Sequence, residues 1–255
     1  MKFPQALHLI EDFKNSDDYT LIKNIESIKN SYQIFSGNYA DFKAALKEHK
    51  EKSDDGSMWH DKKIRSEIQD KLVRLMYNFF SSSFTLVYHT RNHKRKLHKP
   101  NTVIAIEYQS YLNENFVDNP LHCFVIDFRN FLCHSSLPYI ISAKKFGNDG
   151  NTTTFRIKKA SLQRFKWAPV AKSHIESLSD TFDIEEIVDL YFNKVKNLHE
   201  WYRVRQIQFY KDVYERVLLE KKTLLKLATE DRVTQALPFS QSDIEREELI
   251  LNSLH

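Results

Sequence analysis

The sequence predicts a mostly α fold, a helical bundle with one small inserted β-hairpin. Apolar residues recur at three- and four-residue spacing through most of the 255 residues, which is typical of amphipathic helices. Glycine occurs only four times, a scarcity that argues against a β-sandwich and against a glycine-rich phosphate loop. We therefore expect a single helical domain over 1–255, with N-terminal helices over 1–56, a core over about 58–230 and a C-terminal tail helix over 238–255.

The first half of the chain predicts short helices and then one long helix. Two apolar stripes occur within 1–55, and the segment 53–57, which reads SDDGS, breaks the pattern. A long helix is predicted from about Met58 to His93, because apolar side chains recur along one side of it. It leads into HTRNHKRKLHK, over 89–99, which is the most basic stretch of the chain and which we expect to be an exposed, flexible exit.

The central stretch is 121–139, which reads LHCFVIDFRNFLCHSSLPY. Helical spacing of its apolar residues predicts a core helix that begins at Asn119-Pro120 and ends before Pro138. Four polar side chains lie among these apolar residues: Asp127, Arg129, Asn130 and His134. Burying such groups costs free energy unless they are paired or used, so the stretch is a hypothesis for a functional site.

The second half of the chain predicts a hairpin and then long helices. The segments YIISAKK and TTTFRIKK flank FGNDGN, over 146–151, which favours a turn between two strands. From Asp183 to Leu227 there is no glycine or proline, and this stretch is either one long helix or two helices with a break that the sequence does not mark. The segment DIEREELILNSL near the C-terminus predicts a short amphipathic helix.

The net charge, the N-terminal sequence and the two cysteines limit which class of protein this chain could be. The formal net charge is +4, so binding of a nucleic acid would need a local basic patch. No long apolar run precedes Glu11, and no stretch is long enough to cross a bilayer, so we expect neither a signal peptide nor a membrane span. Cys123 and Cys133 lie about 15 Å apart along the predicted helix, which is too far for a disulfide. We expect a reduced, cytoplasmic protein.

The segment from Arg129 to His134, RNFLCH, resembles the R-x4–6-H motif of the HEPN superfamily, and the asparagine after the arginine matches the usual form of that motif. These helical-bundle proteins include many metal-independent ribonucleases, and the resemblance extends over about 58–215. It implies that Arg129, Asn130 and His134 are catalytic, that the substrate is RNA and that no cofactor or metal is needed. It also implies a homodimer with both motifs in one cleft, a role as a toxin or anti-phage effector, and an antitoxin protein as a partner.

The chemistry of RNA cleavage fits these residue types. A histidine can move the proton of a ribose 2′-hydroxyl or of the 5′-leaving oxygen. An arginine can stabilise the negative charge that grows on the phosphoryl oxygens, and Asn130 would orient either group. The alternative is structural: Arg129 would pair with Asp127 or another carboxylate, and His134 would only cap the helix end, where the helix dipole favours a cation.

A second match to the motif runs from Arg91 to His98 and also has an asparagine after the arginine. With 12 arginines and 11 histidines, roughly one or two matches are expected by chance. We prefer Arg129 to His134, because that match lies among apolar residues, where charged side chains cannot simply sit in water. The two side chains converge only if the helix ends near Cys133, since five residues of helix separate them by about 140°.

The basic segment over 89–99 is the predicted RNA-docking surface. Four cations would neutralise phosphates there: Arg91, Lys94, Arg95 and Lys96. The alternative for such a charge run is a solvated loop. His89 and His93 have the spacing of zinc ligands on a helix, but no intervening glutamate or cysteine pair accompanies them, so we predict no metal site.

Two other functions remain open. The chain could be a HEPN-like bundle without catalysis that binds a nucleotide, RNA or a protein partner. It could also be an unrelated helical scaffold in which the helix from Asp183 mediates assembly. A fully buried Arg129 paired with a carboxylate would favour the scaffold.

Overall fold

The structure, a computed structural model, describes residues 5–54, 56–135, 137–138, 140–145, 152–163 and 165–254. Most of these residues are helical, and the predicted mostly α fold class is confirmed. The helices in chain order are α1 (Gln5–Asn15), α2 (Asp17–Glu26), α3 (Ile28–Asp54), α4 (Ser57–His60), α5 (Lys62–Leu97), α6 (Val103–Asn115), α7 (Pro120–His134), α8 (Pro169–Ser177), α9 (Ile184–Phe209), α10 (Lys211–Glu230) and α11 (Gln241–Asn252).

A small antiparallel sheet accompanies the helices. Its strands, in spatial order, are β1 (Ile140–Lys145), β2 (Thr152–Lys158) and β3 (Thr181–Asp183). β1 and β2 are the two predicted hairpin strands, with Ile140 opposite Ile157. The predicted turn at 146–151 lies outside the described residues. The third strand was not predicted, because three residues are too few to show a strand pattern; it places Phe182 opposite Ile157.

The long helix predicted from about Met58 to His93 differs from the observed helix at both ends. A break at Asp61 separates α4 from α5, because the Asp61 carboxylate accepts hydrogen bonds from the first backbone N–H groups of α5, at 2.7 Å from Lys63. α5 then continues to Leu97, so the prediction of a flexible basic exit is wrong. Lysine and arginine are good helix formers, and cations are favourable at a helix C-terminus, which explains why the helix persists there.

The stretch from Asp183 to Leu227 contains two helices rather than one. α9 ends at Phe209 and α10 begins at Lys211. Tyr210 lies between them with φ −107° and ψ 23°, outside helical geometry. Because no glycine or proline marks this break, the sequence pattern could not distinguish one helix from two.

The chain divides into two compact units, Ile28–His199 and Met1–Ser27 with Glu200–His255. In the first unit α3 packs along α5, and α7 packs against both α5 and α8. Its core is strongly aromatic, with the buried rings of Phe35, Phe42, Phe79, Phe80, Phe124 and Phe128. In the second unit α10 packs against α1, α2 and α11, and the buried Lys221 pairs with Glu247 at 2.5 Å. The expectation of a single domain over 1–255 stays a prediction.

The helices also show whether the chain could span a membrane and where its two cysteines lie. Within the described ranges, every helix is too short or too polar to span a bilayer. Cys123 and Cys133 both lie on α7, and both thiols are free. These features do not test the predicted cytoplasmic location, which stays a prediction.

Candidate functional site

The motif helix α7 is held at both ends. Asn119 caps its start by accepting a hydrogen bond from the backbone N–H of His122 at 3.1 Å, and Pro120 occupies the first turn. At the other end the backbone N–H of Ser135 donates to the carbonyl of Phe131. The face that packs inward contains Phe124, Val125, Phe128, Phe131 and Leu132, so the prediction of a core helix here is confirmed.

Arg129 lies half-buried on α7 and has no carboxylate partner among the described residues. Its guanidinium lies 5.3 Å from the ring centroid of Phe84 on α5, and its Nη1 donates to the Asn130 side-chain oxygen at 3.2 Å. The Nε atom is buried and makes no hydrogen bond. Asp127, the structural alternative as a partner, instead accepts from the backbone N–H of Ala168 at 2.7 Å. Arg129 therefore keeps hydrogen-bonding capacity that the fold does not use.

His134 is the last residue of α7 and is exposed to solvent. No contact among the described residues joins it to Arg129 or Asn130. Because α7 includes His134 in its last turn, the Arg129 and His134 side chains leave the helix about 140° apart. The structure brings together Arg129 and Asn130, and leaves His134 separate from both.

An exposed aromatic stripe on α5 runs beside the motif helix. Tyr77, Phe84 and Tyr88 are 37%, 41% and 50% exposed, and their spacing of seven and four residues places them on one side of α5. Phe84 contacts Arg129, and the Cys133 thiol lies 3.7 Å from the Tyr77 hydroxyl. The stripe, Arg129 and Cys133 therefore share one surface of this unit.

The four predicted RNA-binding cations lie in the last turns of α5. Arg91, Arg95 and Lys96 are exposed, and Lys94 is half-buried with its Nζ 5.7 Å from the ring centroid of Tyr108. The second motif match runs along the same turns, and there His98 is only 4% exposed. The expectation that this match lies in a water-exposed segment holds for Arg91 and is wrong for His98.

A further polar cluster surrounds His122, at the N-terminal end of α7, and sequence reasoning missed it. The ring Nδ1 lies 3.0 Å from the hydroxyl of Tyr191 on α9. Burial, and then the nearby charges of Lys194 and Arg91, lower the pKa of His122 to about 4. These side chains come from α5, α7 and α9, so no local sequence signal could have joined them.

The described part of the chain contains no group of three or more His, Cys, Asp or Glu that could hold a metal ion. His89, one of the two residues with zinc-like spacing, lies with its Nδ1 2.7 Å from the hydroxyl of Ser31. Comparison of the chain with protein-family models, with curated proteins and with solved structures finds no match.

Proposed function

We propose that this protein is a metal-independent endoribonuclease of the HEPN type. The observation that supports this best is the state of Arg129: its guanidinium lies over the Phe84 ring, is hydrogen-bonded to Asn130 and has no carboxylate partner among the described residues. An arginine kept only for structure is usually paired with a carboxylate, whereas one that binds a phosphate must keep N–H groups for the ligand. The proposal thus rests on one oriented guanidinium, with an exposed histidine five residues further along the same helix.

Each of the three motif residues has a role in this proposal. His134 exchanges a proton with the ribose 2′-hydroxyl or with the 5′-leaving oxygen. Arg129 stabilises the charge that grows on the phosphoryl oxygens as the 2′-oxygen attacks. Asn130 orients Arg129 through the 3.2 Å hydrogen bond. No step requires a metal or a cofactor, because proton transfer and charge stabilisation both come from side chains.

A second copy of the chain completes the proposed site. One chain supplies one Arg129 and one His134, and their directions from the helix differ by about 140°, so a pair of motifs in one cleft would serve the reaction better. The aromatic stripe formed by Tyr77, Phe84 and Tyr88 supports a homodimer, because exposed aromatic side chains are enriched at interfaces. It lies beside Arg129, which would bring the two motifs close.

The wider proposal concerns substrate and setting. Arg91, Lys94, Arg95 and Lys96 dock the RNA backbone at the C-terminal end of α5, where a helix holds them in fixed directions. Like many members of the HEPN superfamily, the protein would act in the cytoplasm as a toxin or anti-phage effector, with a protein antitoxin as its inhibitor.

Incubation of the purified protein with total RNA in excess EDTA tests the proposal. We expect cleavage to continue under chelation, and the products to carry 2′,3′-cyclic phosphate ends because the 2′-hydroxyl is the nucleophile. His134→Ala should lose about 10²–10⁴ in rate, and the matched control is His60→Ala, because His60 is an exposed histidine at the end of α4. Single-stranded DNA should remain intact, because it has no 2′-hydroxyl. Activity that EDTA abolishes and magnesium restores would contradict the mechanism.

A binding module without catalysis is the second candidate. It is favoured by one observation: Arg129 and His134 point in different directions from α7, so their side chains do not meet within a single chain. In that case purified protein binds RNA or a nucleotide saturably but leaves RNA intact at every protein concentration. The same incubation, combined with a binding isotherm, separates the two candidates.

A further inference from the structure

The cluster at the N-terminal end of α7 has its centre at His122. The His122 ring stands edge-on to Phe116, with ring centroids 4.9 Å apart, and its Nδ1 lies 3.0 Å from the Tyr191 hydroxyl. Burial raises the pKa of Tyr191, so its hydroxyl keeps its proton and can donate it to Nδ1. In the tautomer in which Nδ1 accepts this hydrogen bond, the ring proton lies on Nε2, which has no hydrogen-bond partner among the described residues.

Two cations lie near this histidine, and a third lies over Tyr108. Arg91 on α5 and Lys194 on α9 are both close enough to act on its protonation, and burial also lowers the pKa of Lys194. The Lys194 Nζ lies 5.2 Å from the ring centroid of Phe116. The third cation is Lys94, whose Nζ lies over Tyr108; burial raises the pKa of Tyr108 to about 12, and Arg91 opposes that rise. Arg91 therefore lies near both His122 and Tyr108.

The three cations have no carboxylate partner among the described residues. The charges that act on the pKa of His122 are those of Lys194 and Arg91, and burial lowers the pKa of Lys194. Elsewhere in the same unit cations are neutralised: Lys43 and Lys50 both pair with Glu185, at 2.5 and 2.7 Å. Positive charges that act on the same side chain without a counter-charge repel one another, and an anion bound between Arg91 and Lys194 would remove that repulsion.

The position of the cluster on α7 favours the same kind of ligand. His122 lies in the first turn of this 15-residue helix, where the helix dipole is positive. Asn119 already occupies the backbone N–H of His122, so the side chains rather than the bare helix end would form the site. Aromatic rings from α6 and from the segment after it lie beneath two of the cations, Tyr108 under Lys94 and Phe116 under Lys194.

We propose that this cluster binds a phosphoryl group, with Arg91 and Lys194 neutralising its charge and the Nε2–H of His122 donating to one of its oxygens. The ligand class is a phosphate ester of a nucleotide or of an RNA strand, because guanidinium and ammonium groups match phosphate oxygens. The site lies about 18 Å along α7 from His134. It does not depend on ribonuclease activity, and it could operate in either candidate function.

Titration of the full chain with inorganic phosphate, at constant ionic strength set with chloride, tests this proposal. The readout is the His122 ring signal in NMR spectra, assigned by its loss in His122→Gln. We expect a saturable shift of that signal and a rise of the His122 pKa by about one unit or more, because a bound anion stabilises the cationic ring. His134→Ala should show the same shift, so failure here and failure of the ribonuclease proposal are distinguishable.

Substitutions of the cations complete the test. Arg91→Gln and Lys194→Gln should each weaken phosphate binding about tenfold, which corresponds to the loss of one hydrogen bond to a charged group. Arg74→Gln is the matched control, because Arg74 is exposed on the same helix, α5. Arg91 is itself exposed, so its variant should fold even if the half-buried Lys194 does not tolerate change.

The source of the phosphate follows from competition. The ligand is a terminal phosphate ester if AMP displaces inorganic phosphate. The same conclusion follows if an RNA with a 5′-phosphate displaces it and the same RNA with a 5′-hydroxyl does not. Equal displacement by both RNA forms assigns a backbone phosphodiester. A His122 signal that ignores phosphate, that responds equally to chloride, or that responds unchanged in both Arg91→Gln and Lys194→Gln overturns the proposal.

Discussion

The two ends of α7 each carry a histidine, and the two histidines have opposite surroundings. At the C-terminal end His134 is exposed, five residues after an arginine without a carboxylate partner among the described residues. At the N-terminal end His122 is half-buried, hydrogen-bonded to Tyr191, and close to Arg91 and Lys194. A histidine that transfers protons must reach its substrate, whereas one held neutral beside fixed cations is suited to binding. We therefore propose chemistry at the C-terminal end and phosphate binding at the N-terminal end.

The first test of this assignment of chemistry to the C-terminal end of α7 removes the guanidinium of Arg129 but keeps its positive charge. Arg129→Lys should lower the cleavage rate at saturating RNA by about 10²-fold or more, since an ammonium cannot reproduce two directed N–H groups at the phosphoryl oxygens. Arg74→Lys, on an exposed turn of α5, is the matched control. A fully active Arg129→Lys would mean that only a positive charge is needed at this position. It would contradict the claim that the directed N–H groups of Arg129 take part in the chemistry at the C-terminal end of α7.

The second test asks whether only the C-terminal end needs a second copy of the chain. Tyr88→Glu places a charge on the exposed aromatic stripe, and we expect the dimer dissociation constant to rise about 10- to 100-fold and cleavage to fall with it. Phosphate binding at His122 should remain. Light scattering over a concentration series gives the constant. Leu249→Glu, at a 70% exposed position on α11, is the control. A wild-type protein that stays monomeric while it cleaves RNA would contradict the dimer.

The third test uses another histidine that burial keeps neutral. His49 is 2% exposed, neither ring nitrogen has a hydrogen-bond partner among the described residues, and burial is the main cause that lowers its pKa to about 4. Between about pH 6.5 and pH 4 the unfolded chain therefore binds more protons than the native one, so stability falls as the pH falls through this window. By pH 5 the loss from His49 is about 2 kcal/mol.

Replacement of that histidine should flatten the pH dependence. His49→Leu should lose about 2 kcal/mol less unfolding free energy than the wild type between pH 7 and pH 5, measured by urea denaturation at both values. The exposed His60→Leu should retain the wild-type difference. His122 has the same direction of shift, so a residual acid sensitivity is expected in His49→Leu. Equal pH dependence in His49→Leu and the wild type would refute the assignment.

The smallest expected effect concerns the basic turns that end α5. Replacing Arg91, Lys94, Arg95 and Lys96 together with alanine should flatten the plot of log binding constant against log salt, by about 0.7 for each phosphate of a single strand that is no longer neutralised. The triple variant Lys62→Ala, Lys63→Ala, Arg65→Ala removes exposed cations from the opposite end of α5 and should leave the slope unchanged. If the salt dependence of binding has the same slope in both variants, the cations at the end of α5 do not contact RNA phosphates and are only a solvated charged surface.

Local rules were enough to predict the motif helix and the two hairpin strands. Asn119-Pro120 is a start signal that acts through the capping of the first turn, and the apolar face of α7 follows from helical spacing. The same kind of rule is ambiguous at the end of α5, where a charge run favours a solvated loop but lysine and arginine also favour a helix. It also misses the break at Tyr210, which has no glycine or proline.

The candidate site was predictable only where its residues are neighbours in sequence. Arg129, Asn130 and His134 lie within one helical turn and a half, so a motif could identify them. The contact of Arg129 with Phe84 and the grouping of Arg91 and Lys194 around His122 arise from packing between helices far apart in the chain. Neither depends on spacing, and each required the fold.

The rate of RNA cleavage in EDTA at saturating RNA, compared between His134→Ala and His98→Ala, tests most directly whether the chemistry belongs to the C-terminal end of α7. We expect His134→Ala to lose about 10²–10⁴ in rate, the usual cost of removing a general acid or base, and His98→Ala to keep a competent site. Because His98 is 4% exposed, thermal melts by circular dichroism must show that each variant is folded. An active His134→Ala beside an inactive, folded His98→Ala would place the chemistry in the other motif match.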